Sequence, residues 1–261
     1  MKFIKNRTVM FNIIVATGSF LVLCVFPILS FAQNDQALVQ AALNGNAKKV
    51  LSLLEMGANV NAKDSDGVTA LMHAAEKGQV DIVKTLLSKG ANVNAKENIF
   101  GMNALMVSAA EGHTKIIALL LANGAKVNEK DHNLGATALM GAADYGHTAI
   151  VKMLLSSGAN VNARDKNGYT ALEVSAVNGH FSVVKALIDK GADVNTQDYK
   201  YEATPLISAA ANGHNKIVQL LLEKGANISA QMINGMTALQ VAVRKGRHST
   251  VKLLKKHGAS E

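Results

Sequence analysis

At 261 residues with one cysteine, the chain is too long for a disulfide-stapled miniprotein and has no second thiol to pair. Lys and Arg outnumber Asp and Glu by 27 to 19. Over most of the chain the two signs are interspersed, which describes a solvated surface and argues against a nucleic-acid-binding stripe.

Residues 1–32 form a separate segment. Lys2, Lys5 and Arg7 precede an apolar run from about Val9 to Phe31, and Ser30-Phe31-Ala32 offers small residues to a signal peptidase. Pro27 is expected to break the apolar helix and help present that site in extended form. The segment reads as a signal peptide cut after Ala32. An uncleaved membrane anchor is the alternative, because the run reaches the ~18–20 apolar residues that span a bilayer. Cys24 lies inside the leader without a small residue before it, so lipidation is not expected. On the cleaved reading the exported protein holds no thiol and must be stabilised by packing.

Residues 33–61 read as a capping helix pair. From within this pair onward the chain repeats itself: Gly-Ala recurs at Gly57, Gly90, Gly124, Gly158, Gly191, Gly225 and Gly258, at spacings of 33 or 34 residues, followed by Asn-Val-Asn in three copies and by a variant of it in three more. A period of this size signals a stacked repeat. Six units follow, at 62–94, 95–128, 129–162, 163–195, 196–229 and 230–261.

In the first unit Asp64-Ser65-Asp66-Gly67 is turn chemistry. Thr69 is the expected N-cap of a short alanine-rich helix that stops at Gly78. A second helix over about Val80 to Ser88 carries Ile82, Val83, Leu86 and Leu87 as an amphipathic stripe and ends at Gly90. Neither helix is long enough to stand alone. Stacking should bury Leu71, Ile82, Val83 and Leu86, and in a central unit Leu120. Small first helices beside bulky second ones should curve the stack, with the first helices on the concave side.

The Thr-Ala-Leu-Met and Gly-Ala-Asn-Val-Asn phrases resemble the ankyrin repeat from about Asp35 to the C-terminus. The resemblance implies an all-α repeat solenoid of helix-turn-helix units with short β-hairpin-like fingers, in which partners are bound by finger tips and inner helices. It implies a non-catalytic protein-binding role without a cofactor, and a monomer is expected; together with the leader this reads as an exported protein of bacterial type, periplasmic or secreted, with inner-membrane anchoring as the alternative. One departure is plain. The family's Thr-Pro-Leu-His histidine is replaced by Met72, Met106, Met140, Glu173, Ile207 and Gln240. The methionines are expected to pack as a flexible apolar column, and Glu173 and Gln240 have no evident reason in the sequence.

His113, His147, His180 and His214 follow the mid-repeat glycine in each of four units. Stacked helices lie ~8–10 Å apart, whereas zinc needs its nitrogens at ~2.1 Å from one ion, so these form a row and no metal site is expected. No nucleophile elbow or phosphate-cradling loop is present. An enzyme or metal carrier is the least favoured reading. Phe100, Tyr169, Tyr199 and Tyr201 fall at fingers, Tyr145 at the end of a first helix, and Phe181 at a half-buried start of a second helix, where it is expected to belong to the core. The expected binding set is Phe100, Met102, Tyr145, Tyr169, Tyr199 and Tyr201, since aromatics on a rigid surface are common interface anchors. The partner is expected to be another protein and not nucleic acid, with a membrane involved only if the leader is retained. Arg244, Lys245, Arg247, Lys252, Lys255 and Lys256 form a basic end that reads first as a soluble terminal face and second as a docking patch.

Overall fold

The computed structural model describes residues 22–260, with side chains from residue 33 onward. The leader's basic segment and its Ser30-Phe31-Ala32 site therefore lie outside the described residues or side chains. Within the described backbone, helix α1 (Val22–Leu43) is continuous through position 27, so the break expected at Pro27 is not present. No helix among the described residues is long and apolar enough to cross a membrane.

Helix α1 pairs with α2 (Ala47–Glu55), and the six units follow as helix pairs. The inner row is α3 (Ala70–Glu76), α5 (Ala104–Ala110), α7 (Ala138–Asp144), α9 (Ala171–Asn178), α11 (Pro205–Asn212) and α13 (Ala238–Arg244). The outer row is α4 (Val80–Ser88), α6 (Thr114–Ala122), α8 (Thr148–Ser156), α10 (Phe181–Ile188), α12 (Asn215–Glu223) and α14 (His248–Lys256). Each inner helix packs on the next inner helix and each outer helix on the next outer one, with α1 and α2 heading the two rows. The chain is an all-α repeat solenoid.

Each inner helix starts for the same reason. Thr69, Asn103, Thr137, Thr170, Thr204 and Thr237 turn a side-chain oxygen onto the backbone N–H three residues on. That satisfies a donor the helix itself leaves unpaired. The small residues behind the cap let the inner row pack closely, while Ile82, Val83, Leu86, Ile116, Ile117 and Leu120 fill the space towards the outer row. These six are at most 2% exposed, and one apolar cluster runs unbroken from Leu38 to Leu254.

The methionine column is buried as expected, and Met72 does more than pack: its Sδ accepts the Thr69 N–H. Gln240 makes the same reciprocal bond, its Oε1 accepting the Thr237 N–H, so its polarity has a reason after all. Glu173 is 1% exposed and accepts a hydrogen bond from Ser208 Oγ at 2.8 Å in the next unit. Phe181 corrects an expectation. It is 37% exposed, because the position that holds Val80, Thr114 and Thr148 elsewhere is too near the surface to enclose a phenyl ring.

Candidate functional site

Four polar ladders tie each unit to the next, and they fix the surface that the fingers present. His113, His147, His180 and His214 donate Nε2–H to the carbonyls of Glu76, Ala110, Asp144 and Val177 in the preceding units, at 2.8–3.0 Å. A Cβ on Gly78, Gly112, Gly146 or Gly179 would stand 2.6–2.8 Å from these rings. The mid-repeat glycine is thus needed both for its positive φ and for the close approach of the next unit's histidine. In the last unit Arg247 Nε replaces the histidine and donates to Ala211 O at 3.0 Å. The Nε2 of each of these four histidines is occupied in stacking the units.

The second ladder explains the recurring Asn-Val-Asn. The second asparagine of each phrase (Asn61, Asn94, Asn128, Asn162, Asn195) accepts from a backbone N–H in the following unit, at 2.7–2.9 Å. All but the first of these also donate Nδ2–H to a glycine carbonyl of that unit. A third ladder runs through basic side chains: Lys63, Lys96, Lys130 and Arg164 each donate to the backbone carbonyl of the residue that takes their place one unit on. Interspersed lysines look solvated in sequence, yet these four are stacking residues. Their signal was the 33- and 34-residue period itself.

The fingers form the fourth ladder. Each is closed by a hairpin bond, from Asp64 to Val68, Glu97 to Met102, Asp131 to Ala136, Asp165 to Tyr169, Asp198 to Ala203 and Met232 to Met236. The three 34-residue units carry their extra residue inside this loop. In those loops the leading carboxylate (Glu97, Asp131, Asp198) accepts three backbone N–H groups, which rigidifies the tip. Adjacent fingers are joined N–H to C=O, from Asn98 to Asp66, His132 to Phe100, Lys166 to Leu134, Tyr199 to Asn167 and Ile233 to Tyr201.

This backbone rail carries an apolar crest. Ile99, Phe100, Leu134, Tyr199, Tyr201 and Ile233 are all exposed, at the tips of the second, third, fifth and sixth fingers. Phe100, Tyr199 and Tyr201 were expected there. Ile99, Leu134 and Ile233 were not, because an aliphatic side chain in a loop is not marked as an anchor by its residue type. Their signal was register, since each stands in the short stretch that leads to its finger's glycine.

The fifth unit's finger is the most elaborated. Tyr199 is 64% exposed, with the Arg164 guanidinium 5.4 Å from its ring centre, and Lys200 Nζ lies 4.8 Å from the centre of the Tyr201 ring. Arg164, Thr196, Asp198, Tyr199 and Glu202 line an open groove of about 420 Å³ beside it. Glu202 has φ 55°, the one positive-φ residue other than glycine among the described residues, where the sister fingers place Gly101 and Gly135. Strain of that kind at an L-residue is characteristic of functional loops.

The expected set does not stay together. Tyr169 is half-buried, and burial, then the nearby Asp198 and Glu173 carboxyls, raise its phenol pKa above the usual value. Met102 is half-buried against the core. Tyr145 is 63% exposed but caps the C-terminal end of α7, the end away from the finger, where it stacks on His147 at 6.3 Å. Phe100, Tyr199 and Tyr201 remain on the crest.

The family model for ankyrin repeats (three copies) matches residues 21–97, 38–131, 105–198 and 199–261. The chain is also similar to the human ASB11 ankyrin repeat domain in its crystal structure, at 28% identity and a TM-score of 0.76, over 86% of this chain and 98% of that one. No curated protein matches the chain at a significant level. From the repeat period, the inner and outer helix rows and the near-complete coverage, the chain belongs to the ankyrin-repeat family.

Proposed function

We propose that this protein is an exported, non-catalytic scaffold that holds another protein along its finger crest and the adjoining inner-helix face. Ankyrin repeats generally serve as protein-binding scaffolds. The observation that carries the finer reading is the fifth finger, where two exposed tyrosines sit on a loop fixed by the three N–H bonds to Asp198. Rigid aromatic anchors lose little conformational freedom on binding, which is what makes hot spots of them.

The partner would be identified by crosslinking the tagged protein in its native compartment. Tyr199→Ala with Tyr201→Ala is then expected to weaken binding by at least about 2 kcal/mol, leaving the unfolding midpoint near wild type because both side chains are exposed. Tyr169 is left intact because its half-buried ring would confound the stability comparison. An unchanged affinity would refute the crest as the binding face. Export rests on the leader alone. Cleavage after Ala32 predicts that N-terminal sequencing of the mature protein starts at Gln33, and a start at Met1 would point to a membrane-anchored scaffold.

A further inference from the structure

The net charge of the chain beyond its leader is concentrated at one end. Residues 33–229 carry 18 Lys and Arg against 18 Asp and Glu, whereas residues 230–261 carry six against one, and that one is Glu261. On α14, His248, Ser249, Lys252, Lys255 and Lys256 recur at the spacing of one helical face and are exposed, while Thr250 and Leu254 on the other face are buried. Arg244, Lys245 and Arg247 extend this surface around the end of α13 and are exposed too. Arg244 Nη1 lies 3.7 Å from Met236 Sδ, so the basic surface reaches the finger of its own unit.

Two simpler accounts fall short. An uncovered end of a solenoid needs a polar face, but not one of a single sign. The opposite end, residues 33–61, meets the same need with Lys48 and Lys49 balanced by Asp35 and Glu55. The helix dipole favours cations near a C-terminus, which accounts for Lys255 and Lys256. It does not account for Lys252 in mid-helix, or for the absence of Asp and Glu from both α13 and α14 when other units mix the two signs, as in Lys185–Asp189 at 2.8 Å and Lys96–Glu129 at 2.8 Å.

We propose that the outward face of α13 and α14 docks an acidic polypeptide segment, independently of the finger crest. Arg244 and Arg247 supply planar guanidinium groups suited to carboxylates, and the lysine stripe on α14 supplies the steering field. The chemistry favours a polypeptide over a bilayer or a nucleic acid, because the unit contains no Phe, Tyr or Trp to enter a membrane interface or to stack on bases.

The test titrates the purified chain with a labelled poly-glutamate peptide, and separately with phosphatidylserine-containing vesicles and duplex DNA. Lys245→Glu, Lys252→Glu and Lys256→Glu together are expected to weaken poly-glutamate binding by about tenfold or more. A charge-matched control, Lys48→Glu, Lys84→Glu and Lys152→Glu, should change it by less than about twofold, and wild-type binding should fall steeply with salt. Where the glutamate variant is destabilised, the corresponding glutamine variant is measured and should show a smaller loss in the same direction. Equal losses in both sets would overturn the proposal, as would tighter binding to vesicles or DNA than to poly-glutamate. Neither result bears on the crest, whose tyrosines are unchanged throughout.

Discussion

Glu173 occupies a position that is apolar in four of the six units, and it pays for its polarity in proton affinity. Burial raises its pKa to about 8. The Ser208 hydrogen bond opposes that shift, Asp198 adds to it, and Arg164 partly offsets it. The folded chain therefore keeps this proton up to about pH 8, whereas the unfolded chain releases it near the ordinary 4.5. Folding takes up a proton across that window, so the contribution of this residue to stability declines as pH rises from 4.5 to 8 and is level beyond it. Glu173→Gln keeps an acceptor for Ser208 and removes the ionisation. It should exceed wild type in stability at pH 8 by a few kcal/mol, at about 1.4 kcal/mol per pKa unit, and the gain should shrink towards pH 5. Urea titrations of both proteins at several pH values give the comparison. A constant difference across the range would mean that Glu173 is ionised in the folded state.

At the level of the element, the finger is where local backbone and surface chemistry meet. The fifth finger adopts the loop of its sisters but places Glu202 where they have Gly101 and Gly135. An L-residue in the left-handed region carries a penalty of roughly 1–2 kcal/mol. The backbone carbonyl of Glu202, which accepts from Gln197 Nε2, is retained by any substitution. Glu202→Gly is therefore expected to raise stability by about 1 kcal/mol, read as a higher denaturation midpoint. A lower midpoint would show that the Glu202 side chain makes a contact worth more than the strain. The helix caps and glycine stops were legible in the sequence because each is a local rule repeated in every unit, and the extended fingers because they lengthen the period from 33 to 34 in three of them. The basic ladder was not, since Lys63 and Lys96 bond to backbone 33 and 34 residues away and nothing in their own neighbourhood marks them. Glu173 was visible as an oddity, but its partner Ser208 lies 35 residues on and carries no motif.

Across the whole molecule, each unit is held by apolar packing and by the four polar ladders, and their magnitudes decide which dominates. A single ladder bond near the surface contributes on the order of 1 kcal/mol net, whereas emptying a closed core site costs several times that. Leu120 is 0% exposed on α6, which packs against α4 on one side and α8 on the other. Leu120→Ala should therefore cost roughly 2–5 kcal/mol. Because a repeat borrows its stability from shared interfaces, the loss should not stay in one unit. Hydrogen exchange is expected to quicken in α4 and α8 as well as in α6, with the effect fading towards α1 and α14. Removing one rung, as in Asn128→Ala, should by contrast shift the midpoint only slightly and quicken exchange mainly between the second and third units, which its bonds to Asn160 and Gly158 join. If the Leu120 variant matched wild type in its denaturation midpoint, the outer-row core would not be the main support of the stack. If it unfolded α6 alone, the six units would be independent, and a rigid crest spanning several fingers would lose its physical basis.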